Sequence, residues 1–155
     1  MNLKYNKGFS LIEMLVVIAI LVLMATVITV GLSSFYKGRT LDGAVEQAIS
    51  LINEARSKTL SSKDSSQYGV HFETSRLALF KGPVFTEPNS DNKEFIFSSS
   101  VEMFGTTLNG GGSDLVFKRL TGKTDEYGAV SFRLKRDNSK IKNITIEPGG
   151  VVSAD

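Results

Sequence analysis

The chain has 155 residues, enough for one domain plus a membrane segment and too few for two full domains. It contains no cysteine, which excludes a disulfide framework, a thiolate metal site and a cysteine nucleophile. Two of its 18 cations, Lys4 and Lys7, precede Gly8; from Phe9 onward 16 basic residues stand against 16 acidic ones, so bulk charge argues neither for nor against nucleic acid.

The chain opens on Lys7-Gly8-Phe9-Ser10-Leu11-Ile12-Glu13 and continues from Met14 to Leu32 in an apolar run of 19 residues without a charge. At about 1.5 Å per residue, a helix of that length is about long enough to cross a bilayer. Glu13 lies inside the hydrophobic segment, where a carboxylate costs roughly 2.5–3.5 kcal/mol at mid-membrane and less near an end, and such a residue usually marks function. A secretory signal has a shorter core followed by small residues, and Gly31-Leu32-Ser33 offers a cut after Ser33. An uncleaved single-pass anchor is a further reading. Neither assigns a task to Glu13 or to the Gly8-Phe9 junction.

Lys-Gly-Phe-Ser-Leu-Ile-Glu ahead of a long apolar run resembles the prepilin signature of type IV pilins and type II secretion pseudopilins. The resemblance implies that a membrane-embedded prepilin peptidase cuts between Gly8 and Phe9 and methylates the new amine of Phe9. Glu13 then occupies the place of the family's glutamate, as fifth residue of the mature chain. The apolar run is retained, and the implied partners are other pilin or pseudopilin subunits and an inner-membrane assembly platform. A cationic amine at Phe9 is a natural partner for the Glu13 carboxylate, because opposite charges attract strongly at low dielectric. Within one chain the two share a helix face. Between chains, the pair sets the axial offset of one helix on the next, a heterologous contact that does not close. The peptidase works at the cytoplasmic face, which puts the N-terminus there and the head outside. Basic-residue bias is nearly neutral, with Lys37 and Arg39 after the run matching Lys4 and Lys7 before it, and Phe35 and Tyr36 suit a membrane interface. Thr26 to Gly31 is rich in β-branched residues and ends in glycine, a weak point for a helix. Many members of the family have proline where this chain has Val30, so a local loss of helix in a filament lacks that support.

Helical periodicity resumes beyond the run. Leu41, Ala44, Val45, Ala48, Ile49, Leu51, Ile52 and Ala55 share an arc of about 160°, with Asp42, Glu46, Ser50, Asn53, Glu54 and Ser57 opposite. Arg56 stands at the border, Gly38 and Gly43 permit a bend, and the polar loop Ser61 to Ser66 ends the helix near Leu60. Strands follow at Tyr68 to Phe72, Leu77 to Phe80, Phe95 to Phe97, Val101 to Phe104 and Leu115 to Lys118. A hairpin then pairs Ala129–Lys135 with Ile141–Glu147 across a turn at Arg136 to Lys140, with Val130, Phe132 and Leu134 on one face and Ser131, Arg133 and Lys135 on the other, and a short end runs from Val151 to Ser153.

The expected fold is α+β and pilin-like, a long N-terminal helix packed on a C-terminal antiparallel sheet. Its expected organisation is a leader at 1–8, an apolar membrane and assembly helix at 9–36, an amphipathic helix at 37–60 and a β-rich head at 61–155. The layout, with Glu54-Ala55-Arg56-Ser57 closing the helix and a Gly-Gly-Val turn near the end, resembles the GspH/FimT-like minor pseudopilins.

No catalytic constellation emerges and no cofactor is implied. Gly122-Lys123-Thr124 lacks the earlier glycine of a phosphate loop, since position 117 is phenylalanine. His71, the sole histidine, is expected as a solvated strand residue. Asn89, Asp91, Asn92 and Glu94, and separately Asp125 and Glu126, have oxygen ligands but no recognised calcium-loop spacing, and are expected as solvated loops. Arg133, Lys135, Arg136, Lys140 and Lys142 cluster on one hairpin, with Lys118, Arg119 and Lys123 potentially beside them, a patch able to hold a nucleic-acid backbone. The same residues also serve as an exposed basic strand that protects a sheet edge. The leading expectation is a structural filament subunit; the alternatives are a DNA-binding pilin of an uptake pilus and a single-pass anchored protein with a β-rich domain.

Overall fold

The computed structural model describes residues 8–155, with side chains for all of these except 28–37. The leader cations Lys4 and Lys7 and the side chains of Phe35, Tyr36 and Lys37 lie outside the described residues. One helix, α1, runs Leu11–Leu60, and neither Thr26–Gly31 nor the glycines at 38 and 43 interrupt it. Penalties of about 1 kcal/mol at single positions do not outweigh the cooperative ladder of a 50-residue helix. The chain divides into two compact units, Met1–Lys37 and Gly38–Asp155.

In the first unit the described side chains from Leu11 to Val27 are all exposed, the large apolar ones between 47% (Val17) and 78% (Leu11). Among the described residues no helix is long and apolar enough to cross a membrane. In the sequence the apolar run continues past Val27 to Leu32.

The second unit is built on the amphipathic stretch of α1. Leu41, Ala44, Val45, Ala48, Leu51, Ile52 and Ala55 are buried and Ile49 packs against the same core, while Glu46, Ser50, Asn53 and Ser57 face solvent. After a 3₁₀ turn at Lys63–Ser65 come β1 (Tyr68–Phe72), β2 (Arg76–Lys81), β3 (Lys93–Ile96), β4 (Val101–Leu108), β5 (Asp114–Val116), β6 (Gly128–Leu134), β7 (Asp137–Ile146) and β8 (Val152–Ala154). The expected antiparallel β-sheet head is present, built as two four-stranded antiparallel sheets ordered β3-β2-β1-β5 and β4-β6-β7-β8. The division arises because β5 returns to pair with β1, Val70 opposite Leu115, while β4 crosses to β6. Both sheets send side chains into one core with the helix: Val70, Leu79 and Phe117 from the first side, Val130, Phe132 and Ile144 from the second.

Most strand limits shift by one or two residues from expectation, and those of β4, β7 and β5 are the most telling. β4 continues through Thr106 and Thr107, which carry no apolar signal, and a bulge between Met103 and Gly105 places Phe104 among the exposed residues. β7 starts at Asp137 because the turn is only Lys135-Arg136; the polar residues Asn138 to Lys140 extend the strand beyond the core, with a register shift at Leu134. β5 stops at Val116, although Phe117 is still fully buried.

The end of α1 is tied to the end of the chain. Arg56 donates from Nε to the Gly122 carbonyl at 3.2 Å and from a terminal nitrogen to the Gly149 carbonyl at 3.3 Å. Gly150 has φ +77°, and a Cβ there would stand 2.0 Å from the Gly122 oxygen and 2.9 Å from Arg56 Nε. Gly149 has open space around it. Gly150→Ala is therefore expected to destabilise the protein by about 1–3 kcal/mol through left-handed strain and the clash, while Gly149→Ala stays within about 0.5 kcal/mol of the parent; denaturant unfolding in detergent compares the two.

Candidate functional site

The first candidate site is the start of α1. Gly8, Phe9 and Ser10 precede the helix in extended or irregular backbone, all exposed, and no atom lies within 4 Å of a Cβ built on Gly8. The Gly8-Phe9 peptide is thus an accessible segment followed at once by helix, whose first bond runs from the Met14 amide to the Ser10 carbonyl at 3.2 Å. Phe9 is 79% exposed. Glu13 stands in the first turn, where the helix dipole favours a carboxylate. It is exposed, makes no ion pair or hydrogen bond among the described residues, and is the sole charged residue between Phe9 and Tyr36.

The second candidate is the basic hairpin, and the structure separates its members. Arg133 donates from Nε to Glu102 Oε1 at 2.7 Å, and its guanidinium lies 4.7 Å from the centre of the Phe104 ring. Lys142 is on the other side of the sheet, 3.7 Å from Asp42 of α1. Lys135, Arg136 and Lys140 remain exposed at the tip with no carboxylate partner among the described residues. The expected neighbours Lys118, Arg119 and Lys123 are elsewhere. Their loop packs near Leu60 and Arg56, while the hairpin tip lies beside Gly38 and Asp42, about 27 Å away along the helix. Lys118 is also paired, to Asp125 at 2.6 Å. The Phe104–Arg133 contact had no sequence signal, since a bulge creates it.

Residues 3–29 match the family model described as the prokaryotic N-terminal methylation motif. No curated protein sequence matches the chain. Among solved structures, the crystal structure of the type IV minor pilin FimU of Pseudomonas aeruginosa strain PAO1 is similar, with a TM-score of 0.57 over 74% of this chain and 92% of that one. At 11% identity that likeness is one of fold. The chain is pilin-like, a prepilin methylation motif joined to a pilin-fold head.

The pilin-like head carries one polar cluster that sequence reasoning missed. His71 is not a solvated strand residue: it is half-buried, stacked on Phe85 with ring centres 4.1 Å apart. Its Nδ1 is 2.5 Å from Asp114 Oδ1 and its Nε2 is 3.6 Å from Glu73 Oε1. The cause is the β2–β3 loop, which folds back so that Phe85 packs edge-on to Phe80 at 5.6 Å and covers the outer face of the first sheet. Arg76 clasps that loop through two bonds each to Glu73 and Glu87, with a fifth to Glu94 at 2.7 Å. Glu94 is therefore an ion-pair partner, Asn89 accepts the Asp91 amide, and Asn92 donates to the Thr86 carbonyl. Among the described residues no three His, Cys, Asp or Glu side chains are grouped to hold a metal.

Hydrogen bonds from Arg76 hold the Glu73 and Glu87 carboxyls below their usual range, and the carboxylates in turn raise the guanidinium. A depressed folded pKa adds stability above the unfolded value, 4.5 for a glutamate, and that stability is lost as pH falls through the folded value. The parent protein is expected to lose stability as pH drops below about 4.5, and Arg76→Ala to show a shallower decline over the same window. Thermal unfolding across that pH range tests this, and parallel curves for the two proteins would contradict it.

Proposed function

We propose that this pilin-like chain is a structural filament subunit, cleaved between Gly8 and Phe9, N-methylated at Phe9, and assembled through the helix that follows. The observation that carries the reading is the fully exposed apolar surface from Leu11 to Val27, which directly follows an accessible cut site and contains one carboxylate, Glu13. Such a surface requires lipid before assembly and neighbouring helices after it. Residues 9–36 serve as the single-pass anchor in the inner membrane and then as the filament core; residues 37–60 and 61–155 form the head outside the cytoplasm. Prepilin peptidase and an assembly platform are the processing partners. That FimU is a minor pilin supports placing this chain among the minor subunits of a type IV pilus or of a type II secretion pseudopilus.

In this reading Glu13 pairs with the methylated amine of Phe9 on a neighbouring subunit. The pair forms in a low-dielectric setting, so removing one partner leaves an uncompensated charge. The mature protein is expected to begin at a mass-shifted, N-methylated Phe9 when its N-terminus is read by mass spectrometry. A chain beginning at Ser34, or an intact Met1, overturns the proposal.

Glu13→Ala is expected to be processed normally yet to appear in sheared filaments at less than about a tenth of the parent level, the loss a penalty of about 1.4 kcal/mol or more produces. Equal incorporation of the variant removes the charge pair from the mechanism.

A further inference from the structure

We propose that the tip of the β6–β7 hairpin is a docking surface for anionic lipid headgroups. The inference rests on the reading of the apolar helix as a membrane anchor.

Three observations carry it. Lys135, Arg136 and Lys140 are exposed at the tip and have no carboxylate partner among the described residues, whereas Arg133 and Lys142 are neutralised by Glu102 and Asp42. The tip is beside the first residues of the head: Ser139, Lys140, Ile141 and Lys142 line an open groove of about 450 Å³ with Gly38, Leu41 and Asp42. Gly38 is six residues from Leu32, the last residue of the apolar run, so the free cations sit at the end of the head to which that run is covalently joined. Finally, Ile141 is 46% exposed in the same group, an apolar side chain among cations that can enter an interface while the lysine and arginine heads stay at the phosphates.

A bilayer fits this arrangement better than a nucleic acid does. A phosphodiester backbone is held by cations spread along a groove, but here the cations of the hairpin that could extend such a track are on opposite sides of the sheet and already paired. A compact basic tip meets a plane of negative charge, as juxtamembrane basic clusters do, and loses that attraction within a Debye length. The contact would seat the head on the membrane surface before the subunit is extracted into a filament.

The test uses the full chain reconstituted into vesicles of phosphatidylcholine alone or with about 30% phosphatidylglycerol, with amide hydrogen exchange read across residues 133–142. The expected result is exchange at the tip slowed roughly threefold or more by the anionic lipid. The slowing disappears in about 0.5 M salt. It is also absent from a Lys135→Gln/Arg136→Gln/Lys140→Gln variant, since the three replaced side chains make no ion pair or side-chain hydrogen bond among the described residues. Equal exchange on the two lipids, in a chain that floats with both vesicles, overturns the docking surface and leaves the anchor intact. Slowing by added duplex DNA but not by phosphatidylglycerol also overturns it and assigns the tip to nucleic acid. A chain that floats with neither vesicle removes the anchor reading, and this inference falls with it.

Discussion

Apolar surface that its own chain does not cover sets the terms for everything else in this protein. From Leu11 to Val27 the helix is exposed on every side and, Glu13 and Thr26 apart, apolar. At roughly 25 cal/mol per Å² of buried apolar area, covering it is worth on the order of ten kcal/mol, comparable with the whole stability of a small domain. The same helix, beyond Gly38, narrows to a single apolar stripe, and there the two sheets do cover it. One continuous element thus carries two solvation patterns, exposed all round from Leu11 to Val27 and buried on one side within the head.

Polar groups in the head are divided between holding its edges and facing outward. Arg76 and His71 lie over the outer face of the first sheet with Phe85 and Glu87, so the charges there are satisfied within the head. Arg133 and Lys142 are likewise absorbed by Glu102 and Asp42. Lys135, Arg136 and Lys140 at the hairpin tip have no carboxylate partner among the described residues. A net charge near zero therefore hides a local asymmetry that bulk composition cannot reveal.

Much of this was legible in the residues. The buried face of α1 is the arc read from periodicity, since Leu41, Ala44, Val45, Ala48, Leu51, Ile52 and Ala55 are all buried and the helix ends at Leu60. The alternation in Val130, Phe132 and Leu134 gave their direction correctly, because a half-buried strand must alternate. What escaped was non-local. The split into two sheets depends on β5 returning to β1, which no short window contains. His71 was misread because the residue that covers it, Phe85, comes from a loop fourteen positions away that carries no strand or helix signal. The basic hairpin appeared as one patch in sequence because adjacency along a strand says nothing of pairing with Glu102 or Asp42 across it.

The tie between Arg56 and the two glycine turns bears on when the head can form. Arg56 stands 66 residues before its partner Gly122 and 93 before Gly149, whose neighbour Pro148 accepts the Thr124 amide at 3.1 Å. The helix end therefore cannot be locked until the residues up to Gly149 have been synthesised.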